Sequence, residues 1–390
     1  MSNCVLSSQN RYYAKVEAAF GQAPAIAAGD RLAAIKLAIR QRDELRDRKD
    51  KTGTRTFTGI APGGRKRTHF DLQTYLMTGT TPGSAPAVGR LFQAALGGGP
   101  LVFAGGSAGA GSTATSIVFS GPHNLVEGQA FGFNDELRFV GTVNSPTSVT
   151  VNAPFSAAPA GGATLTGAVT YKPAADLPTV SIFDYWDPAT VVQRILVGAS
   201  CGVLRVKVNA DFHEFEFSGE AQDVLDSASF TAGQGGLSAF PPEPVVSGVT
   251  ALPVPGNLGQ AWMGATASKF LTVTKAVVEL DNDLEVRNRE FGSSVPRCNA
   301  PGMRKVTAEI RLYEQDDAAT KGLYAAARAQ TPVGVMFQLG QLAGQLFGVY
   351  LKAVVPKVPQ FDDSERALEW SFEECRAQGQ GEDEVFVAVG

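Results

Sequence analysis

Three stretches of this sequence put chemistry-bearing side chains at spacings that a catalytic or ligand site would use. His213-Glu214-Phe215-Glu216 opens like the zinc helix HExxH, in which two imidazoles one helical turn apart share a metal. The second imidazole is missing, because Phe217 stands four residues after His213. Phe215 and Phe217 alternate with glutamates at the period of a strand, so His213 reads as a solvent-facing histidine rather than a ligand. Gly105-Gly106-Ser107-Ala108-Gly109-Ala110-Gly111-Ser112-Thr113 has the glycines of a phosphate loop, but no lysine precedes Ser112 to reach the outer phosphates. It reads as a flexible connector. Asp281-Asn282-Asp283 suggests calcium, yet the glycine and glutamate that an EF-hand needs further on are absent, which leaves a polar turn.

The four cysteines, Cys4, Cys201, Cys298 and Cys375, are scattered with no CxxC pair and read as reduced thiols. No catalytic, cofactor-binding or metal-ligating residue is therefore assigned, and no cofactor is expected. An enzyme acting on an extended polymer would need a carboxylate pair in a groove, and no pair stands out.

The elements around these stretches carry more information. Gly and Pro together supply 43 and 22 of 390 residues, an excess that favours turns and short strands over long helices. The net charge of −4 does not suit a chain built to grip DNA phosphates. No run has the 18 or more apolar residues of a spanning helix, and the first residues lack the basic-then-apolar pattern of an export signal. A soluble, non-exported chain with no membrane partner is expected.

Laid over itself at a shift of 239, the sequence matches itself. Ala61-Pro62-Gly63-Gly64-Arg65-Lys66-Arg67-Thr68 falls on Ala300-Pro301-Gly302-Met303-Arg304-Lys305-Val306-Thr307, with Ala61, Pro62, Gly63, Arg65, Lys66 and Thr68 repeated as Ala300, Pro301, Gly302, Arg304, Lys305 and Thr307. Leu45, Arg48 and Gly53 recur as Leu284, Arg287 and Gly292. This is read as a duplication. Val88, Leu91, Phe92, Ala95 and Leu96 follow the spacing of one helix face after the first motif, and Leu323-Tyr324 takes the same place after the second. Strands are expected at Thr179 to Phe183 and Val333 to Leu339, and Glu214 to Phe217 matches Glu369 to Phe372.

The expected organisation is a first unit at 1–96 plus 170–225, an inserted small β-domain at 97–169, a Pro/Gly-rich linker at 226–268 and a second unit at 269–390. The insert is set apart by its near absence of charge, with only Glu127, Asp135, Glu136 and Arg138 between 97 and 170. Charge is lopsided elsewhere. Residues 36–68 hold eleven basic and four acidic side chains, while 354–390 hold nine acidic and three basic. Opposed patches on one chain suit head-to-tail association of copies; the alternative is that both are solvated faces.

The opening stretch, Gln9-Asn10-Arg11-Tyr12-Tyr13-Ala14-Lys15-Val16-Glu17 with Phe20-Gly21, the charged loop after the first strand, the short helix and the closing strand pairs resemble the major tail tube proteins of long-tailed bacteriophages. The resemblance implies a mainly β fold with short helices: two tandem tail-tube-like β-sandwich or barrel units, duplicated and fused, plus the insert. It implies a structural subunit without catalysis, located in a virion tail and assembled in the bacterial host cytoplasm. Such subunits form rings that stack into a hollow conduit, here three chains giving a pseudo-hexameric ring. The implied partners are the chain itself, tape-measure and tail-terminator or tail-tip proteins, and transient, non-specific DNA in the lumen. The charged loop 40–58 and its counterpart 282–299 are expected to reach between rings through Arg46, Arg48, Lys49, Arg287 and Arg289. The competing class is a virion-surface or adhesin-type binding module acting through 97–169. A needle component of a secretion system would look the same.

Overall fold

A computed structural model describes residues 4–390 apart from 45–48, 58, 60–62, 78–80, 210, 247–250 and 365. The fold is mainly β, with 46% strand, two helices, large antiparallel sheets and a half-barrel curl.

The first unit is built from β1 (Arg11–Val16), β2 (Ala34–Glu44), β3 (Arg65–Tyr75), α1 (Gly89–Leu96), β4 (Val180–Tyr185), β5 (Arg194–Val208), β6 (Glu214–Ala221) and β7 (Asp223–Asp226). The second follows as β8 (Gly259–Gly264), β9 (Val273–Asp281), β10 (Lys305–Tyr313), α2 (Ala318–Ala329), β11 (Val333–Leu339), β12 (Phe347–Val355), β13 (Gln360–Asp362), β14 (Glu369–Ala377) and β15 (Phe386–Val389).

In the first unit β2 pairs β3, β3 pairs β6, β6 pairs β5, and β5 pairs β4 and β7, all antiparallel. In the second, β9 pairs β10, β10 pairs β14, β14 pairs β12 and β13, and β12 pairs β11 and β15. The two ladders have the same order. The alternation that makes them strands is plain: Thr68, Phe70, Leu72 and Thr74 turn inward on β3, as Val306, Ala308, Ile310 and Leu312 do on β10.

That inward set is related by a shift of 238, one less than the shift that aligns Thr68 with Thr307. Leu37 of β2 faces Leu72, and Ala276 of β9 faces Ile310. β2 and β9 thus keep the 239 relation, and the one-residue difference is taken up by the loop between the hairpin strands. Thr68 is buried whereas Thr307 is only half-buried. A one-residue slip sends a side chain to the opposite face, so sequence identity and structural equivalence part company here.

Both helices cover the same face of their ladder. Phe92 of α1 lies 5.1 Å from Phe215 and 5.6 Å from Phe217, ring centre to ring centre, and Tyr324 of α2 lies 5.5 Å from Trp370. α1 ends at Gly97, whose φ of 95° favours glycine. α2 begins at Asp317, whose side chain accepts the Thr320 amide at 2.7 Å.

The insert has its own sheet from Ser116–Val118, Ala130–Phe133, Glu136–Ser145 and Ser148–Val151, around a core that includes Phe103, Phe119, Phe131 and Phe155. Its ends belong to the main sheet: Ala168–Tyr171 pairs both β15 and Leu101–Phe103. The Gly-rich stretch is not a flexible connector. Gly106–Ser107 pairs Thr164–Leu165, and a Cβ on Gly109 would come 3.0 Å from the Phe119 carbonyl, so close packing explains that glycine. The proline-dense segment likewise ends in structure, because β8 within it pairs β11, and Glu243 receives Arg11 at 2.6 Å.

Candidate assembly interface

One ladder joins the two units. The second half of β5 pairs β9 in antiparallel register, from Val203 opposite Asp281 to Val208 opposite Ala276. Val206 and Val278 face each other on the core side and are 1% and 3% exposed. On the other face Arg205 meets Glu279 at 2.6 Å. Just beyond, the buried Asn282 amide donates to the carbonyls of Ala95 and Cys201 at 2.8 and 3.0 Å, tying the end of β9 to α1 and β5. Backbone pairing, apolar contact and a cross-strand ion pair thus act at one seam.

The open face of this continuous sheet is polar, and three of its cations have carboxylate partners, while Lys36, Arg42, Lys275 and Arg311 stand exposed on it. Arg40 contacts Asp71 at 2.7 Å, Arg205 contacts Glu279, and Lys207 contacts Glu216. Gln73 adds a 3.0 Å hydrogen bond to Glu216. Asp71, Glu216 and Glu279 are interspersed with the cations, so the face is mixed in charge rather than a cationic track for phosphates.

Among the described residues, the two end strands of the seam sheet each pair on one side only. β2 pairs only β3 along its length, and β13 pairs only β14. They occupy opposite ends of the seam sheet.

The residues expected from sequence to contact another ring are placed unevenly. Lys49 is exposed, while Arg46 and Arg48 lie outside the described residues, as do Ala61 and Pro62 of the motif. Arg287 is held by Glu290 at 3.1 Å, and the Arg289 carbonyl accepts Arg65 Nη2 at 2.9 Å. The Lys66 amide donates to the Ser294 carbonyl at 2.7 Å, so the second-unit loop lies over the start of β3 within the same chain. In the motif, Gly63 has φ of 87°, and the Gly302 amide donates to the carbonyls of Asn282 and Asp283. Ala300 ends a short strand paired with Glu285–Arg287, Pro301 and Lys305 are exposed, and Arg304 binds Glu382 and Glu384, each at 2.7 Å. Sequence reasoning missed the seam itself. The alternation of Val206 and Val208 with Arg205 and Lys207 was its only local signal.

The stretches with apparent chemistry resolve into structural roles. His213 is buried rather than solvent-facing: its Nε2 lies 2.8 Å from the Leu258 carbonyl, and burial pushes its pKa down. Gly105-Gly106-Ser107-Ala108-Gly109 also spells Gly-x-Ser-x-Gly, but Ser107 sits in a strand pair and not on a strand-to-helix turn. Asp283 closes a turn by donating its amide to Asp281 Oδ1 at 2.9 Å. Burial pushes the Cys201 thiol up to about 12, and the Cys375 thiol up as well, the reverse of an activated nucleophile. Among the described residues no three His, Cys, Asp or Glu side chains group as a metal site. No helix among them is long and apolar enough to cross a membrane.

No family model and no curated protein matches this sequence. Among solved structures, the SPP1 tail tube determined by solid-state NMR and cryo-EM is similar over 35% of this chain and 80% of its own, at 15% identity and a TM-score of 0.28.

Proposed function

We propose that this chain is a structural subunit of a tail tube, three copies closing a ring and rings stacking into a hollow conduit for DNA. The observation that carries this reading is the β5–β9 ladder: two like units already joined edge to edge, with a bare edge left at each end. A contact between unlike edges repeats head to tail, and it closes a ring if the rotation closes. Closure also removes the strand edges that would otherwise template aggregation. The mixed-charge polar face suits a lumen through which a polyanion slides without being tightly held. On this reading the chain performs no catalysis and belongs to a virion tail assembled in the host cytoplasm. Its partners are further copies of itself and the proteins that set tube length and cap its ends. Negative-stain microscopy of the purified, concentrated chain tests the reading. Hollow rings or tubes are expected. A chain that stays monomeric at high concentration overturns it, and would favour a binding module acting through the insert.

A further inference from the structure

The seam inside the chain can be mapped residue by residue onto its two bare edges. Val206 of β5 faces Phe215 of β6 on one side and Val278 of β9 on the other. In the second unit Phe361 of β13 faces Trp370 of β14, so Phe361 stands where Val206 stands. Its other side is bare. Val278 faces Ala308 of β10, and Ile39 of β2 faces Phe70 of β3, which makes Ile39 the counterpart of Val278.

Exposure agrees with this mapping. Val206 is 1% exposed because β9 covers it, whereas Phe361 is 56% exposed although it stacks on Trp370 at 5.2 Å. A large aromatic at a position that is buried in the other unit marks a surface meant to be covered. Charge agrees as well. β2 carries Lys36, Arg40 and Arg42 ahead of Asp43 and Glu44, with Arg40 also held by Asp71, and the opposing edge carries Asp362 and Asp363.

Resting on the tube reading, we infer that β2 of one chain pairs antiparallel with β13 of a second copy, with Phe361 opposite Ile39, Gln360 opposite Arg40 and Asp362 opposite Ala38. Ile39 and Phe361 then close the apolar side as Val206 and Val278 do. On the polar side Asp362 sits diagonally from Arg40, within reach of a long side chain. This repeats the chemistry of Arg205 and Glu279 with the signs exchanged between the strands. Pro359, which has no amide donor, immediately precedes Gln360, a place a proline can take at the start of an edge strand.

Directly opposed residues of an antiparallel pair have Cα atoms about 4.5 to 5.5 Å apart, which a disulfide can bridge. The test is full-length chain carrying Ile39→Cys and Phe361→Cys, with Cys4→Ser and Cys298→Ser to remove the less buried thiols, oxidised with copper phenanthroline. An inter-chain product that stops at three chains on non-reducing gels is expected. Two chains with one introduced cysteine each, Ile39→Cys in one and Phe361→Cys in the other, should link only when mixed, never alone. Ile39→Cys with Asp362→Cys places the thiols on opposite faces and should give no link. Rings or tubes that form without the Ile39–Phe361 link would overturn this seam and leave the tube reading standing. The link without tubes would support the seam and overturn the tube. Folded chains by circular dichroism that neither link nor associate would overturn both.

Discussion

Arg304 Nη1 lies 2.7 Å from Glu384 Oε1, and the first unit repeats the pair with Lys66 Nζ 3.7 Å from Asp223 Oδ1. Both cations stand at the start of the second hairpin strand, and both carboxylates precede or open the strand that pairs with β5 or β12. The equivalence follows the structural shift of 238 and not the sequence shift that aligns Arg304 with Arg65. A cation at this structural position is retained, while its identity changes from lysine to arginine.

The two pairs differ in burial, which sets what each contributes. Arg304 also binds Glu382 and the Ala174 carbonyl, each at 2.7 Å, and its side chain is 14% exposed. Arg304→Met should cost about 1.5 to 3 kcal/mol in urea unfolding, as for a lost hydrogen bond to a charged group. Lys66→Met should cost under about 1 kcal/mol, the range of exposed pairs. Equal losses would show that the C-terminal acidic segment is not anchored through Arg304.

Arg138 is fully buried in the insert and joins it to the second unit. It contacts Glu136 at 2.9 Å, Gln338 of β11 at 3.0 Å and Gln260 of β8 at 3.2 Å, with its guanidinium over the Trp262 ring. Burial alone would push Glu136 up, but the Ser156 amide, Arg138 and Gln260 bring it below the usual carboxylate value. Arg138→Met leaves Glu136 buried and unpaired and should cost about 3 to 5 kcal/mol. Adding Glu136→Gln should recover part of that loss in denaturant unfolding. No recovery would mean that packing, not charge, fixes the insert.

Asp383 supplies a pH dependence. Lys352 donates to its Oδ2 at 2.8 Å and the Gln380 amide to its Oδ1 at 2.7 Å, and these contacts, Lys352 foremost, bring the carboxyl down to about 2. Its unfolded value is about 3.9. Because the folded value is the lower, the stabilisation is complete above the unfolded value and is lost as pH falls toward the folded one. Asp383→Asn should therefore be less stable than the unchanged chain at pH 6 and equal to it near pH 2. A difference that persists unchanged in acid would assign the effect to the turn's hydrogen bonds alone.

The basic loop gives a prediction about stacking. Lys49 is exposed, and Arg46 and Arg48 precede it in the sequence. Replacing all three with Glu should shorten tubes in electron micrographs more than three scattered lysine changes do. The effect should shrink at about 1 M salt, where the screening length falls to about 3 Å. Unchanged tube length would identify the run as a solvated face.

Several strands, both helices and the internal sequence match were legible in the sequence because their causes are local. Alternation in Thr68 to Thr74 and Val333 to Leu339, helical spacing in Leu91 to Leu96, and glycine at the end of α1 each act within a few residues. The true register of the repeat was not legible. Identity of Arg65-Lys66 with Arg304-Lys305 is blind to a one-residue difference in loop length, and only the inward face of β3 and β10 reveals it. Burial of His213 depended on a carbonyl 45 residues away, at Leu258, and burial of Val206 on Val278, which the chain brings back across the Pro-rich segment. Which alternating apolar positions are covered within one chain, and which, like Phe361, are left for another, is decided by long-range strand pairing. No local pattern encodes that choice, because Val206 and Phe361 both look like ordinary strand residues until the sheet is assembled around them.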